Sequence, residues 1–252
     1  GGTAIFTNYD GGAAGEKGAS LIQLEAGAGI RGITLAQLNI ASDGYSASNP
    51  RKTPFLIQGQ GPKVYIINVT IAVGDKGIDL ASYDTSGHYV DYLGGVPLRA
   101  GIWVGGGAKG GFIRNMQFNP HYGSRLPEGG QGYPEVFMMQ FVQSNCSALK
   151  FADVKNQTIF NNFVYGSVYG IHFLKDAITG KYRHFPGKVC QGLYGQAGAT
   201  SRNSVLCCLP AGRSGRSEAQ VHIRRCQRSL DRQWCSAYSG YCQSFPPEKV
   251  GR

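Results

Sequence analysis

Long apolar runs are absent from this sequence, and their absence excludes whole classes of protein. No stretch approaches the roughly 18 uninterrupted apolar residues of a membrane-spanning helix, and the longest runs, such as 64–67, have the length of a strand. The 38 glycines follow no three-residue period, which excludes collagen. The first residues, Gly1-Gly2-Thr3, carry neither the basic nor the apolar region of a signal peptide, so we expect a mature form or a fragment.

Cysteines, and histidines spaced as metal ligands, are also scarce in the first 187 residues. The segment 1–187 contains one cysteine, Cys146, and no two histidines stand at a spacing typical of metal ligands. Further on, Cys207 and Cys208 are adjacent and do not form a Cys-x-x-Cys pair. The glycine-rich segment 105–111 lacks the Gly-Lys-Ser/Thr ending of a phosphate-binding loop. The sequence therefore predicts neither a metal ion nor a cofactor.

The chain has two unlike parts, with a boundary near residue 188. Residues 188–252 hold 10 Lys and Arg but 3 Asp and Glu, which is +7 of the total charge of +10, together with six of the seven cysteines. A disulfide-stapled module is one interpretation of this tail. A second is a nucleic-acid-binding arm, built on Arg213, Arg216, Arg224, Arg225, Arg228, Arg232, Trp234 and Tyr238. We favour a third, a non-native (frameshift-like) or disordered tail, because hydrophobic periodicity is lacking.

Residues 1–187 consist of short, β-branched segments separated by Gly, Asn, Asp or Pro, the pattern of strands and turns. Three segments share Ile-x-Asn, and their asparagines, Asn68, Asn115 and Asn161, are 47 and 46 residues apart. Such an interval is about twice the 20-odd residues of one solenoid coil. Asparagine tolerates left-handed backbone at a corner, so we predict that these residues stack in register as a structural ladder. Helical periodicity is not evident in this part.

Several segments carry a resemblance to a known family. They are Pro54–Gly61, Tyr65–Thr70, Gly87–Leu98 and Asn115–Tyr122. With them, residues 20–187 resemble the pectin-lyase-like superfamily, in particular the secreted bacterial proteins of that fold often fused to discoidin-type domains. The resemblance implies an all-β, right-handed parallel β-helix, here truncated, and a location outside the cell. It implies no single substrate, because the fold hosts lyases, hydrolases, epimerases and adhesins.

The signatures of two well-known enzyme groups of that superfamily do not occur in order here. Polygalacturonase-like hydrolases pair Asp residues beside Gly-His-Gly with a later Arg-x-Lys, and calcium-dependent pectate lyases carry acidic clusters. Calcium is therefore expected only if the chain is a lyase.

The candidate site combines the few acids and bases that fall near loops of the body. Asp79 alternates with apolar neighbours, so it is predicted to face away from the core, and with Asp91 it forms the candidate catalytic pair of a glycosidase. His88 and His121 are candidate acids, bases or ligands, although His88 and Asp91 are three apart and would lie on opposite faces of a strand. The candidate substrate-binding residues are Arg99, Trp103, Tyr122, Arg125 and Glu135.

Two functions follow from these residues. One is a secreted glycoside hydrolase or polysaccharide lyase, and the alternative is a non-catalytic carbohydrate-binding or adhesive β-solenoid. Carboxyl groups about 5 to 9.5 Å apart across a groove would favour hydrolysis, whereas carboxylates on separate faces would favour binding. The expected partner is a polysaccharide, with no nucleic acid and no membrane.

Overall fold

The computed structural model describes residues 2–124, 135–174 and 188–190. Its elements, in chain order, are β1 (Thr3–Thr7), a 3-10 turn (Gly12–Lys17), β2 (Ile22–Leu24), β3 (Gly29–Arg31), β4 (Ile33–Gln37), β5 (Phe55–Gly59), β6 (Tyr65–Leu80), β7 (Tyr89–Val104), β8 (Phe112–Arg114), β9 (Gln117–Phe118), α1 (His121–Ser124), α2 (Glu135–Asn145), β10 (Ser147–Phe151), β11 (Thr158–Phe160), β12 (Phe163–Val164), β13 (Tyr169–Phe173) and β14 (Lys188–Cys190). The chain is thus mostly β, as predicted.

Every pairing between these strands is parallel, within one sheet of 14 strands. The pairing recurs at short sequence intervals, since Ile57 pairs with Ile78 and Ile66 pairs with Val90. The first interval between marked asparagines therefore holds two passes of the chain, because Tyr92 lies between Asn68 and Asn115. The second holds one long pass, since β8 pairs directly with β11.

The predicted asparagine corners are confirmed. Asn68, Asn115 and Asn161 have φ of 53°, 53° and 50°, and the neighbouring passes place Gly32 and Tyr92 at the same position with positive φ. The Asn161 Nδ2 donates to Asn115 Oδ1 at 2.8 Å, so these two amides form part of the expected ladder. Tyr92 separates Asn68 from them.

A second series of left-handed residues marks the other end of the same short strands. It comprises Gly27, Lys63, Gly87, Gly110 and Asn156. Between the two series lie the segments 29–31, 65–67, 89–91, 112–114 and 158–160, all parallel and in register. Glycine and asparagine fill the other positions of the two series, whereas Lys63 and Tyr92 are bulky residues with positive φ.

The core consists of aliphatic side chains stacked across the strands. One row runs through Ile22, Ile57, Ile78, Ile102, Leu149 and Ile171, which are register partners on β2, β5, β6, β7, β10 and β13. We name it the aliphatic row. Its four central members are buried, whereas Ile22 and Ile171, one at each end, are only partly buried. Each strand therefore covers the apolar face of its neighbour.

The expectation of strands throughout the body was wrong for Glu135–Asn145, which form α2. Met138 and Val142, four residues apart and so on one helix face, are buried in a second cluster against Ala72, Val73 and Leu98. The helix is stabilised by packing on the sheet and lies in the long pass between β8 and β11.

The predicted domain boundary near residue 188 coincides with the start of the last described strand. β14 begins at residue 188 and pairs in parallel with β11, so the sheet extends three residues past position 187. The other residues of the proposed tail, 191–252, lie outside the described part of the chain.

Candidate functional site

Asp79 lies on β6 between two core residues, Ile78 and Leu80, and its side chain points away from them. It is nevertheless only 3% exposed. Its Oδ1 accepts from the backbone amides of Ala81 and Ser82 at 2.8 and 3.1 Å, and its Oδ2 accepts from Gln58 Nε2 and Ser82 Oγ at 2.9 and 2.5 Å. The carboxylate thus holds the end of β6 in place rather than facing solvent.

Asp91, on β7, is 5% exposed and accepts four hydrogen bonds. Arg114 donates through Nε and Nη2 at 3.0 and 2.9 Å, Tyr89 OH at 2.8 Å, and Asn115 Nδ2 at 2.8 Å. Burial alone would raise the pKa of Asp91, but the bonds from Arg114, Asn115 and Tyr89 outweigh it and hold that pKa below its usual range. The group is therefore a stable anion, suited to an ion pair and not to proton transfer near neutral pH.

The structure does not join Asp79 and Asp91 in one site. Asp79 pairs in register with Gln58 and Trp103, whereas Asp91 pairs with Ile67 and Arg114. Among the described residues the two carboxylates share no hydrogen-bond partner, and each has its oxygens engaged by its own surroundings. The two carboxylates therefore lie in different stacks of register partners, each within its own set of hydrogen bonds.

His88 is completely buried and faces the core, on the side of the strand opposite Asp91, as its spacing predicts. Its Nδ1 lies 3.0 Å from the Thr85 carbonyl oxygen, so Nδ1 carries the proton in the neutral ring. Burial lowers the pKa of His88 to about 4, against smaller opposing contributions from Thr85 and Gln157. Gly111 makes room for the ring, because a Cβ there would lie 2.1 Å from it. His88 is thus a neutral packing residue.

His121 and Tyr122 lie together at the start of α1. The His121 amide donates to Asn119 Oδ1 at 3.0 Å, and the His121 ring stacks on Tyr165. Tyr122 packs against the cluster that contains α2, and its hydroxyl lies over Gly94. Two other predicted residues cannot be placed in the same way: Arg125 lies outside the described residues, and for Glu135 only the backbone, at the start of α2, is described.

Arg99 is engaged inside the protein. It forms an ion pair with the fully buried Asp75, donates from Nη2 to the Pro50 carbonyl at 3.0 Å, and stacks on the Phe141 ring at 4.8 Å. The Asp75 carboxylate also accepts from the Thr53 amide at 2.9 Å. Arg99 thereby compensates a buried charge and links α2 to the sheet.

A continuous row of polar and aromatic side chains runs beside the aliphatic row, one residue further along each strand. We name it the polar row; its members, each paired in register with the next, are Gln23, Gln58, Asp79, Trp103, Lys150 and His172. Adjacent strands are about 4.8 Å apart, so six strands give the row a length of roughly 24 Å. Gln60 Nε2 joins Gln23 and Gln58 through bonds of 2.6 and 3.2 Å.

The far end of the polar row is aromatic and cationic. Lys150 Nζ lies 5.2 Å from the centre of the Trp103 ring, and the ring centres of Trp103 and Phe55 are 6.3 Å apart. His172 stacks on the exposed Tyr169 at 4.4 Å, and its Nδ1 lies 3.1 Å from Ser147 Oγ. Burial lowers the pKa of His172, and the charge of Lys150 lowers it further, so the ring is held neutral.

Sequence reasoning found Asp79 and Trp103 in this row but missed Gln58, Lys150 and His172. Gln23 was missed as well. Each of the four missed residues follows directly after a member of the aliphatic row, as Asp79 follows Ile78. That alternation is visible in the sequence. The register that aligns these strands across the insertion between β7 and β10 is not.

The described residues thus form a mostly β structure with one parallel sheet, across which the polar row runs. In the part of the chain that the structure describes, no three side chains of His, Cys, Asp or Glu are grouped as a metal ion would require, and neither helix is long and apolar enough to cross a membrane. No protein-family model, curated protein or solved structure matches the chain.

Proposed function

We propose that this protein binds a polysaccharide along the polar row, on the surface of a right-handed parallel β-helix. The β-helix is supported by the exclusively parallel pairing of the described strands, by the short interval at which pairs such as Ile57–Ile78 and Ile66–Val90 recur, and by two series of left-handed corners. An extracellular bacterial location belongs to the same proposal and rests on the family resemblance.

The observation that carries the binding proposal is the composition and shape of the polar row. Amide groups of glutamine donate and accept hydrogen bonds, as sugar hydroxyls do, while aromatic rings offer flat apolar faces. Gln23 is exposed, and Gln58, Trp103, Lys150 and His172 are half-buried, so a linear ligand can contact them in succession. The ring of Trp103 offers such an apolar face, while its Nε1 is buried and has no hydrogen-bond partner among the described residues.

Binding without catalysis is favoured over the enzymatic alternative. A glycosidase needs two carboxyl groups that flank the same glycosidic bond. Asp79 and Asp91 have different register partners, and their oxygens accept hydrogen bonds from protein donors. A glycoside hydrolase or lyase, with calcium in the case of a lyase, stays the second candidate. It would have to use residues other than this pair.

Affinity electrophoresis of the full chain in gels that contain single polysaccharides tests the proposal. We expect retardation by at least one glycan without release of reducing or unsaturated ends. Trp103→Ala should weaken it about tenfold, the effect of about 1.4 kcal/mol of lost contact. Tyr92→Ala, which removes an exposed aromatic outside the row, is the matched control. Thermal unfolding must show that both variants fold.

Loss of retardation in Tyr92→Ala but not in Trp103→Ala would refute the polar row as the site. Cleavage of a retained glycan would replace the binding proposal with the enzymatic one.

A further inference from the structure

Lys150 is a half-buried ammonium group to which the described residues supply no counter-ion. Its described neighbours at Nζ are the Trp103 ring and, further off, the cation of Lys76, and no carboxylate of the described residues lies within ion-pair distance. Removing an ammonium group from water costs free energy unless an anion compensates it. The position is therefore destabilised until an anion arrives from outside these residues.

The nearby acids are already committed elsewhere. Glu16 pairs with Lys76 at 3.3 Å, and Asp79, on the other side of Trp103, accepts from Gln58, Ser82 and two backbone amides. Burial lowers the pKa of Lys150, and the neighbouring charge of Lys76 lowers it further. The first effect reflects the loss of water around the ammonium group, and the second reflects the positive potential that Lys76 adds.

The geometry around Lys150 also suits a sugar ring that carries such a charge. Trp103 covers one side of the ammonium group, and His172, the register partner of Lys150, is stacked on the exposed Tyr169. Flat ring faces thus stand directly beside the cation, on adjacent strands about 4.8 Å apart. A pyranose stacked on these rings would place a substituent at the Lys150 Nζ.

We infer that the Lys150 end of the polar row binds an anionic substituent of the glycan, either a carboxylate or a sulfate ester, with Lys150 as the charged anchor. This inference rests on the proposed function and adds the chemical class of ligand and the residue that selects it.

The test compares charged and neutral probes on the full chain. The probes are alginate with its carboxyl-reduced form, and dextran sulfate with dextran. We expect affinity for at least one charged probe to exceed that for its neutral partner tenfold or more. Lys150→Gln should remove most of that difference between charged and neutral probes, and Lys150→Arg should restore it. Preference for alginate or for dextran sulfate identifies the anion.

Lys155→Gln is the matched control, because Lys155 is an exposed lysine at a corner away from the row. It removes the same charge from the same chain, so the basic segment after residue 188 contributes equally to both variants. Equal losses in Lys150→Gln and Lys155→Gln, or binding of single-stranded DNA that depends on Lys150 as strongly, would overturn the inference. Neutral and charged glycans bound equally would overturn it but keep the proposed function, whereas no glycan bound would refute both.

Discussion

At the residue scale, His88 shows how the core sets the charge state of a side chain. Neighbouring passes place Val64, Gly111 and Gln157 at the same register position, all facing inward. The imidazole extends over Gly111 towards Gln157, whose Oε1 and the ring Nε2 are both buried without a partner as oriented. Exchanging the oxygen and nitrogen of the Gln157 amide presents an N–H to His88 Nε2, in place of the 3.4 Å bond from Gln157 Nε2 to the Thr158 carbonyl oxygen.

Because this site excludes a charged ring, His88 predicts a stability that depends on pH. Its pKa is about 4 in the folded chain against 6.5 in the unfolded chain. Below pH 6.5 His88 binds a proton in the unfolded chain, whereas in the folded chain it stays neutral down to about pH 4. The free energy of unfolding therefore falls as the pH is lowered through this window. The full loss is about 3 kcal/mol, at about 1.4 kcal/mol per pH unit.

Urea unfolding at pH 7 and pH 4.5 measures this loss in the wild-type chain and in His88→Gln, which should lack most of it. His121→Gln, at a half-buried position outside the core, should retain the wild-type dependence. If His88→Gln and the wild type lose equal stability between the two pH values, burial of His88 does not control it.

At the scale of single elements, the corners that bound the short strands follow a simple conformational rule. Asparagine and glycine adopt positive φ at little cost, whereas a bulky residue pays about 1–2 kcal/mol. One corner series runs Gly32, Asn68, Tyr92, Asn115 and Asn161. Tyr92, with φ of 52° and 63% exposure, is the exception.

Tyr92→Asn should therefore stabilise the protein, by about 1 kcal/mol, because it relieves the strained backbone without loss of buried surface. The new amide could also join the Asn115–Asn161 ladder. Urea unfolding at pH 7 measures the change. Tyr65→Asn is the control: Tyr65 is likewise an exposed tyrosine but lies in an extended strand, where asparagine should destabilise. Destabilisation by Tyr92→Asn would show that contacts of the tyrosine ring stabilise the fold by more than the strained backbone of Tyr92 destabilises it.

Those corners also show how far the sequence alone could lead. Asn68, Asn115 and Asn161 were predictable because a residue type suited to positive φ recurs at an even interval. Tyr92 breaks the chemical pattern at an equivalent position, so the shorter repeat, half of the interval between Asn68 and Asn115, stayed hidden inside it. Likewise α2 was missed, although Met138 and Val142 have helical spacing, because the surrounding segments are strands.

The candidate site was predictable only in part, because residue type does not reveal burial, local hydrogen-bond donors or the register between strands. Acidic residues and histidines were chosen for their chemistry, yet burial and local donors decide their roles: Asp79 and Asp91 are held by hydrogen bonds and His88 is sealed in the core. The polar row depends on register between strands such as β7 and β10, which are separated by a helix-bearing insertion. Sequence spacing carries no signal for that alignment.

At the scale of the whole molecule, the aliphatic row predicts that stability is shared between strands and falls off towards the ends. Ile78 is fully buried between the strands that carry Ile57 and Ile102, whereas Ile171 lies at the last described position of the row and is only partly buried. Ile78→Ala should destabilise by about 2–5 kcal/mol. Ile171→Ala should cost less than half as much, because less apolar surface leaves a packed environment.

Urea unfolding, followed by circular dichroism and by tryptophan fluorescence, measures both variants. With Trp234, the other tryptophan of the chain, replaced by Phe, fluorescence reports on Trp103 near the middle of the polar row. Coincident transitions from the two probes would then indicate that the stacked strands unfold together. A nearest-neighbour stack predicts this coincidence for the central strands, because each is stabilised mainly by contact with the next. Equal losses from Ile78→Ala and Ile171→Ala would mean that the row's end is packed as tightly as its centre, which conflicts with their different burial.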